Sequence, residues 1–69
     1  MSKKYHSIET LCSDIESRGF EYESIKPYVR YDSEGIGEKV VGILIFSGYV
    51  VGMVVWNLFN GLWEIHSNY

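Results

Sequence analysis

One cysteine, one proline and six basic residues are all that this 69-residue chain has of those three kinds. A lone Cys12 cannot form an internal disulfide, so the sequence points to a reducing, cytoplasmic setting rather than a stapled secreted scaffold. Six Lys and Arg against nine Asp and Glu leave a formal charge of −3. That balance lacks the broad basic face with which nucleic-acid binders neutralise phosphates. Catalytic signatures are missing as well. Cys12, His6 and His66 have no metal-site spacing. Gly35-Ile36-Gly37 is a fragment of a phosphate loop without its third glycine or a following helix. The expectation is a non-enzymatic protein with no cofactor, no metal and no catalytic residue.

Charge is also absent from the whole stretch Val40 to Trp63. Such a run is either a membrane span or the centre of a β-sheet. Residues 40–59 are long enough for a single-pass helix, which needs about 20 apolar residues. Gly48 and Gly52 would give that helix a close-packing face, and Lys3, Lys4, Arg30 and Lys39 would keep its N-terminal side in the cytoplasm. The composition favours the sheet. Val40, Val41, Ile43, Ile45, Val50, Val51, Val54 and Val55 are β-branched, and their stiff χ1 angles suit strands.

Turn signals divide the run. Asn60-Gly61 between Phe59 and Leu62 is a strong hairpin signal. A two-residue loop there sets Leu58 opposite Trp63, Asn57 opposite Glu64 and Trp56 opposite Ile65. Val54, Trp56, Leu58, Trp63 and Ile65 then share one face, and Asn57, Glu64 and His66 the other. Ser47-Gly48 marks an earlier turn with two possible registers. A two-residue loop places Gly42 opposite Met53, whereas a bulged three-residue loop places it opposite Gly52.

Upstream, Ile8, Leu11, Cys12 and Ile15 form one apolar stripe at the helical period. Ser7 is its N-cap, Glu9 lies in the first turn, Arg18 in the last, and Gly19 is the stop. Phe20 to Ile25 alternates as a half-buried strand, Pro27 confines that strand to an edge, and 32–37 reads as a loop. The Met-Ser-Lys-Lys-Tyr-His opening is too polar for a signal peptide. Residues 1–69 therefore read as a single α+β domain in the order α-β-β-β-β, an N-terminal helix packed on one face of a three- or four-stranded antiparallel meander.

One helix covers one face of a sheet. Under the two-residue register the other face collects Val40, Leu44, Phe46, Tyr49, Val51, Met53 and Val55, too much apolar surface for a monomer to expose. The expectation is a homodimer through that face, with a second protein or a curled sheet as the alternative covers. Asp14, Glu16, Glu21, Glu23, Asp32, Glu34 and Glu38 read as a solvated acidic rim that would dock on a basic partner. The functional expectation is a small interaction or regulatory protein acting on a partner's surface: an inhibitor, an antitoxin-like neutraliser, or a phage-type anti-defence protein such as an anti-CRISPR. A single-pass membrane protein is one alternative. A single-stranded nucleic-acid binder using Tyr22, Lys26, Tyr28, Arg30 and Tyr31 is another.

Overall fold

The helix forms where its signals lie. In the computed structural model, which describes residues 2–67, Ile8–Ser17 is α1. The Ser7 hydroxyl caps it by accepting from Thr10 N at 3.1 Å. At the other end Arg18 is the cap, and Gly19 turns left-handed at φ 84°. Gly19 N then donates to Glu16 O and Phe20 N to Ile15 O, the double bond pattern that satisfies the last carbonyls of a helix. Phe20 is thereby brought onto the same core as Ile15.

Five strands follow the chain as β1 (Ser2–Tyr5), β2 (Glu21–Tyr31), β3 (Gly37–Phe46), β4 (Tyr49–Asn57) and β5 (Trp63–Ser67). They form one antiparallel sheet in the order β1-β5-β4-β3-β2. The α+β architecture with a helix on a meander is as the sequence predicts. The addition is β1, whose Lys3 and Lys4 carry no strand pattern and which pairs with β5 ahead of the helix. The uncharged run folds as β3, β4 and their turns. No helix among the described residues is long and apolar enough to cross a membrane, so the single-helix span over 40–59 does not form.

At Ser47-Gly48 the chain makes the two-residue turn, with both residues at positive φ (52° and 81°) and Phe46 opposite Tyr49. The register beyond it is shifted twice. An extra residue, Val51, enters β4, so Leu44 faces Gly52 and Gly42 faces Val54. An extra residue, Val41, then enters β3, and Val40 faces Val55. The two bulges cancel, and between them every pair is displaced by one.

The second hairpin also departs from the expected loop. Trp56 faces Trp63, and Val55, not Asn57, faces Glu64. The displacement is two residues, so both expected faces survive it. Its cause is Asn57, whose Oδ1 accepts from Phe59 N (2.8 Å) and Asn60 N (3.1 Å). That bond winds Leu58–Gly61 into one helical turn, closed by Gly61 N donating to Asn57 O and by Gly61 alone at positive φ (73°).

The core lies between α1 and the sheet, where Leu11 and Ile15 meet Tyr5, Leu44, Val54 and Ile65. Because of the bulges, Leu44 and Val51 belong to this helix-side core and not to the opposite face. The seven residues expected to share a dimer face therefore divide. Leu44, Phe46, Tyr49 and Val51 lie on the helix side, and Val40, Met53 and Val55 on the other.

Gly42 is required by the ring of Tyr22. A Cβ at Gly42 would sit 2.4 Å from Tyr22 Cε2. Gly42→Ala should cost about 1–3 kcal/mol, measured by urea denaturation. Combined with Tyr22→Ala, which removes the ring, it should cost much less than the two single changes added together.

Candidate functional site: an aromatic platform on a buried polar network

Among the described residues no element covers the face away from α1, yet Val40 and Val55 at its centre are 1% and 0% exposed. The sheet itself hides them. Glu38 on β3 and His66 on β5 are separated by β4 and lie on different rungs. Flat strands about 4.8 Å apart would hold their side chains apart. Here Glu38 Oε2 lies 3.9 Å from His66 Nε2, which requires the face to be concave. Of the covers expected for the second face, curling is the one that buries Val40 and Val55.

Two carboxylates are buried with them, Glu38 at 7% and Glu64 at 6% exposure. Burying a charge is tolerable only when it is paired and hydrogen-bonded. Arg30 Nε donates to Glu38 Oε1 at 2.5 Å, His66 Nε2 lies 3.1 Å from Glu64 Oε1, and Asn57 Nδ2 donates to Glu64 Oε2 at 3.1 Å. No buried side-chain polar atom among the described residues lacks a partner. Glu64 thus sets which way the Asn57 amide points, and Asn57 Oδ1 shapes the loop that follows. Trp56 Nε1 fixes the far side of that loop by donating to Gly61 O at 3.1 Å.

On the helix side this loop adjoins a bare corner of the sheet. α1 lies against β1, β5 and β2. Its core partners are Tyr5, Leu44, Val54 and Ile65, with Phe20, Tyr22 and Trp63 packed around them. The corner left open holds Val29, Lys39 and Trp56 on one rung and Tyr31, Gly37 and Leu58 at the next. A Cβ on Gly37 would be 3.3 Å from both the Leu58 methyl and the Tyr31 ring, so those two side chains flank it. Leu58 N donates to Gly37 O at 3.1 Å and fastens the loop to β3. Phe59, next along, is 81% exposed, and Tyr31 is 72% exposed. Tyr31 and Leu58 thus sit next to a loop, held by several hydrogen bonds, that carries an exposed phenylalanine. Strand alternation sets Phe59 on the second sheet face beside the Asn60-Gly61 turn, but residue 59 lies within the turn itself.

The acidic residues expected on one solvated rim do not form one. Glu16, Glu21, Glu23 and Glu34 are exposed on three separate elements. Asp32 Oδ1 accepts from Glu34 N (2.8 Å) and Ile36 N (2.9 Å) and builds its own loop. Glu38 is buried against Arg30, a correction that follows from the concave face. Asp14 accepts from the Tyr5 hydroxyl and lies 3.7 Å from Lys3 Nζ and 3.5 Å from Arg18 Nε. The Tyr5 bond, with Arg18 and Lys3 beside it, holds the Asp14 carboxyl below its ordinary pKa. Burial, then Asp14, pushes the Tyr5 hydroxyl up to about 12.

The stacking set proposed for single-stranded nucleic acid is also dispersed. Tyr22 packs on the helix-side core, whereas Tyr28 and Arg30 lie on the concave face. Burial, then the carboxylates of Glu16 and Glu9, raise the Cys12 thiol pKa and disfavour the thiolate. An open depression of about 440 Å3 lies at the other end of the sheet, lined by Val50, Val51, Gly52, Met53, His66 and Ser67. Among the described residues of its lining, His66 is the one titratable group. Comparison with protein-family models, with curated proteins and with solved structures finds no match for this chain.

Two outcomes follow. Glu64→Ala should speed amide hydrogen exchange at Phe59 and Asn60 by tenfold or more while Leu11 and Ile15 stay protected, read by NMR. Equal exchange at Phe59 in both proteins would separate the loop from the network. Tyr5 has its folded pKa above the unfolded value, so its contribution to stability is intact below about pH 10 and is lost as pH rises toward about 12. Denaturant titrations across that window should show the loss in the native protein and a smaller one in Tyr5→Phe.

Proposed function

We propose that this chain is a small interaction protein that works by docking its aromatic platform on another protein, without catalysing a reaction. The observation that carries this reading is Phe59, 81% exposed on a loop whose shape is set from within. Large exposed aromatic side chains on rigid supports are the usual anchors of protein interfaces, because docking them orders little that was mobile. Val29, Tyr31, Trp56 and Leu58 supply the apolar surround, and Lys39 and Glu34 a charged margin.

The role is that of a regulator or inhibitor that occupies a partner's surface, in the class of antitoxin-like or phage-type anti-defence proteins, in a reducing compartment such as the cytoplasm. The dispersed acidic residues make a supporting contribution to encounter with a basic surface. The platform replaces the concave face as the docking surface, since that face already closes over Val40 and Val55. Nucleic-acid binding fits less well, because Arg30 is engaged by Glu38.

A photo-crosslinking side chain at position 59 tests the reading, with one at the exposed helix position Ser13 as control. Discrete adducts from position 59 and none from position 13 are expected in extracts of the source cells. Phe59→Asp should abolish capture of the same adduct partner while changing folding stability by less than about 0.5 kcal/mol, as for other exposed sites. Adducts equally frequent from both positions would remove the platform from the account. So would tight, salt-sensitive binding of an oligonucleotide by the Phe59→Asp variant.

A further inference from the structure

Resting on the reading of the platform as a docking surface, we propose that one occupant is a second copy of this chain, packed platform to platform about a two-fold axis. The argument is the order of groups along the strands. From the loop end inward come the Asp32–Glu34 turn with Phe59, then the rung of Tyr31 and Leu58, then the rung of Val29, Lys39 and Trp56, and then the helix. Anionic groups thus lie on one side of the Tyr31–Leu58 rung and a cation on the other.

A two-fold axis through that rung reverses the order in the partner. Lys39 of each copy then faces the Glu34 loop of the other, and the pairing is made twice, as in any interface where one patch meets itself. Glu34 is the acid of this pair, because Asp32 Oδ1 is occupied by its own loop. In this arrangement neither Lys39 nor Glu34 is set against its own copy.

The association is non-obligate. The chain's accessible surface is 4460 Å2, and area–mass scaling gives about 4,450 Å2 for a compact monomer of this mass. The monomer is therefore complete, and the dimer adds to it by mass action.

Sedimentation equilibrium from about 5 μM to about 1 mM, a range that covers weak protein pairing, should show a monomer–dimer equilibrium. Phe59→Asp should be monomeric throughout. Lys39→Glu and Glu34→Lys should each weaken the dimer about fivefold or more, and the two together should restore it to within about threefold of the original. A monomer over the whole range overturns the inference, as does a dimer indifferent to Phe59→Asp or a charge swap that fails to restore pairing. If the chain stays monomeric while position 59 still forms discrete adducts with another protein, self-pairing fails and the docking role stands. If Phe59→Asp loses neither dimer nor adducts, both fail.

Discussion

Glu38 and His66 sit on strands that do not touch, and they meet because the sheet bends toward the face without a helix. Bending of that size has local causes in the chain. Val41 and Val51 are each an extra residue on one side of a ladder, and β2 departs from regular pairing between Ser24 and Tyr28, around Pro27. Bulges increase the right-handed twist and bend the strand that carries them. With the back of the sheet concave, Val40 and Val55 are enclosed without any partner. The front is correspondingly convex, and a ten-residue helix can cover only part of it. A helix of that length spans about 15 Å, less than five strands need. The bare corner with Trp56, Tyr31 and Leu58 is thus a consequence of the curvature that closes the other side.

The same curvature makes room for charge. Glu38 and Glu64 tolerate burial because Arg30, His66 and Asn57 converge on them from three strands. Replacing such a network by apolar residues often leaves stability unchanged or raises it, so its retention calls for a local reason. Asn57 supplies one. One end of its amide satisfies a buried carboxylate, and the other end accepts two loop amides. A hydrophobic residue at position 57 or 64 would leave a buried polar partner unpaired and the Phe59 loop without its support. The buried charges and the exposed phenylalanine are two ends of one arrangement.

Local signals were legible in the chain wherever the chemistry was local. Ser7 and Gly19 set the helix limits, and Pro27 lies on an edge strand as its missing N–H demands. Alternation identified the polar face of Asn57, Glu64 and His66 even though the register was two residues off, because side-chain direction repeats every two residues. What escaped was set at a distance. Val41 and Val51 look like their neighbours, and nothing in a run of valines marks which one is extra. That single ambiguity moved Leu44 and Val51 to the wrong face and with them the expected dimer surface. Strand β1 escaped because Lys3 and Lys4 owe their order to Asp14 and to the β5 edge. Glu38 was read as solvated because its burial depends on strands far along the sequence.

Association through a sheet edge is the natural competitor to association through the platform. The outer edge of β2 is long, but its middle is irregular, and it presents Glu21, Glu23, Lys26 and Pro27. Those are the devices that discourage strand addition. At the opposite edge β1 is four residues long and carries two lysines. Both edges are therefore blunted, whereas Tyr31, Leu58 and Phe59 carry no such protection. The backbone edges are thus guarded against pairing, whereas the exposed aromatic side chains, Phe59 at 81% with Tyr31 at 72% and Tyr49 at 75%, are left to set what the surface can meet.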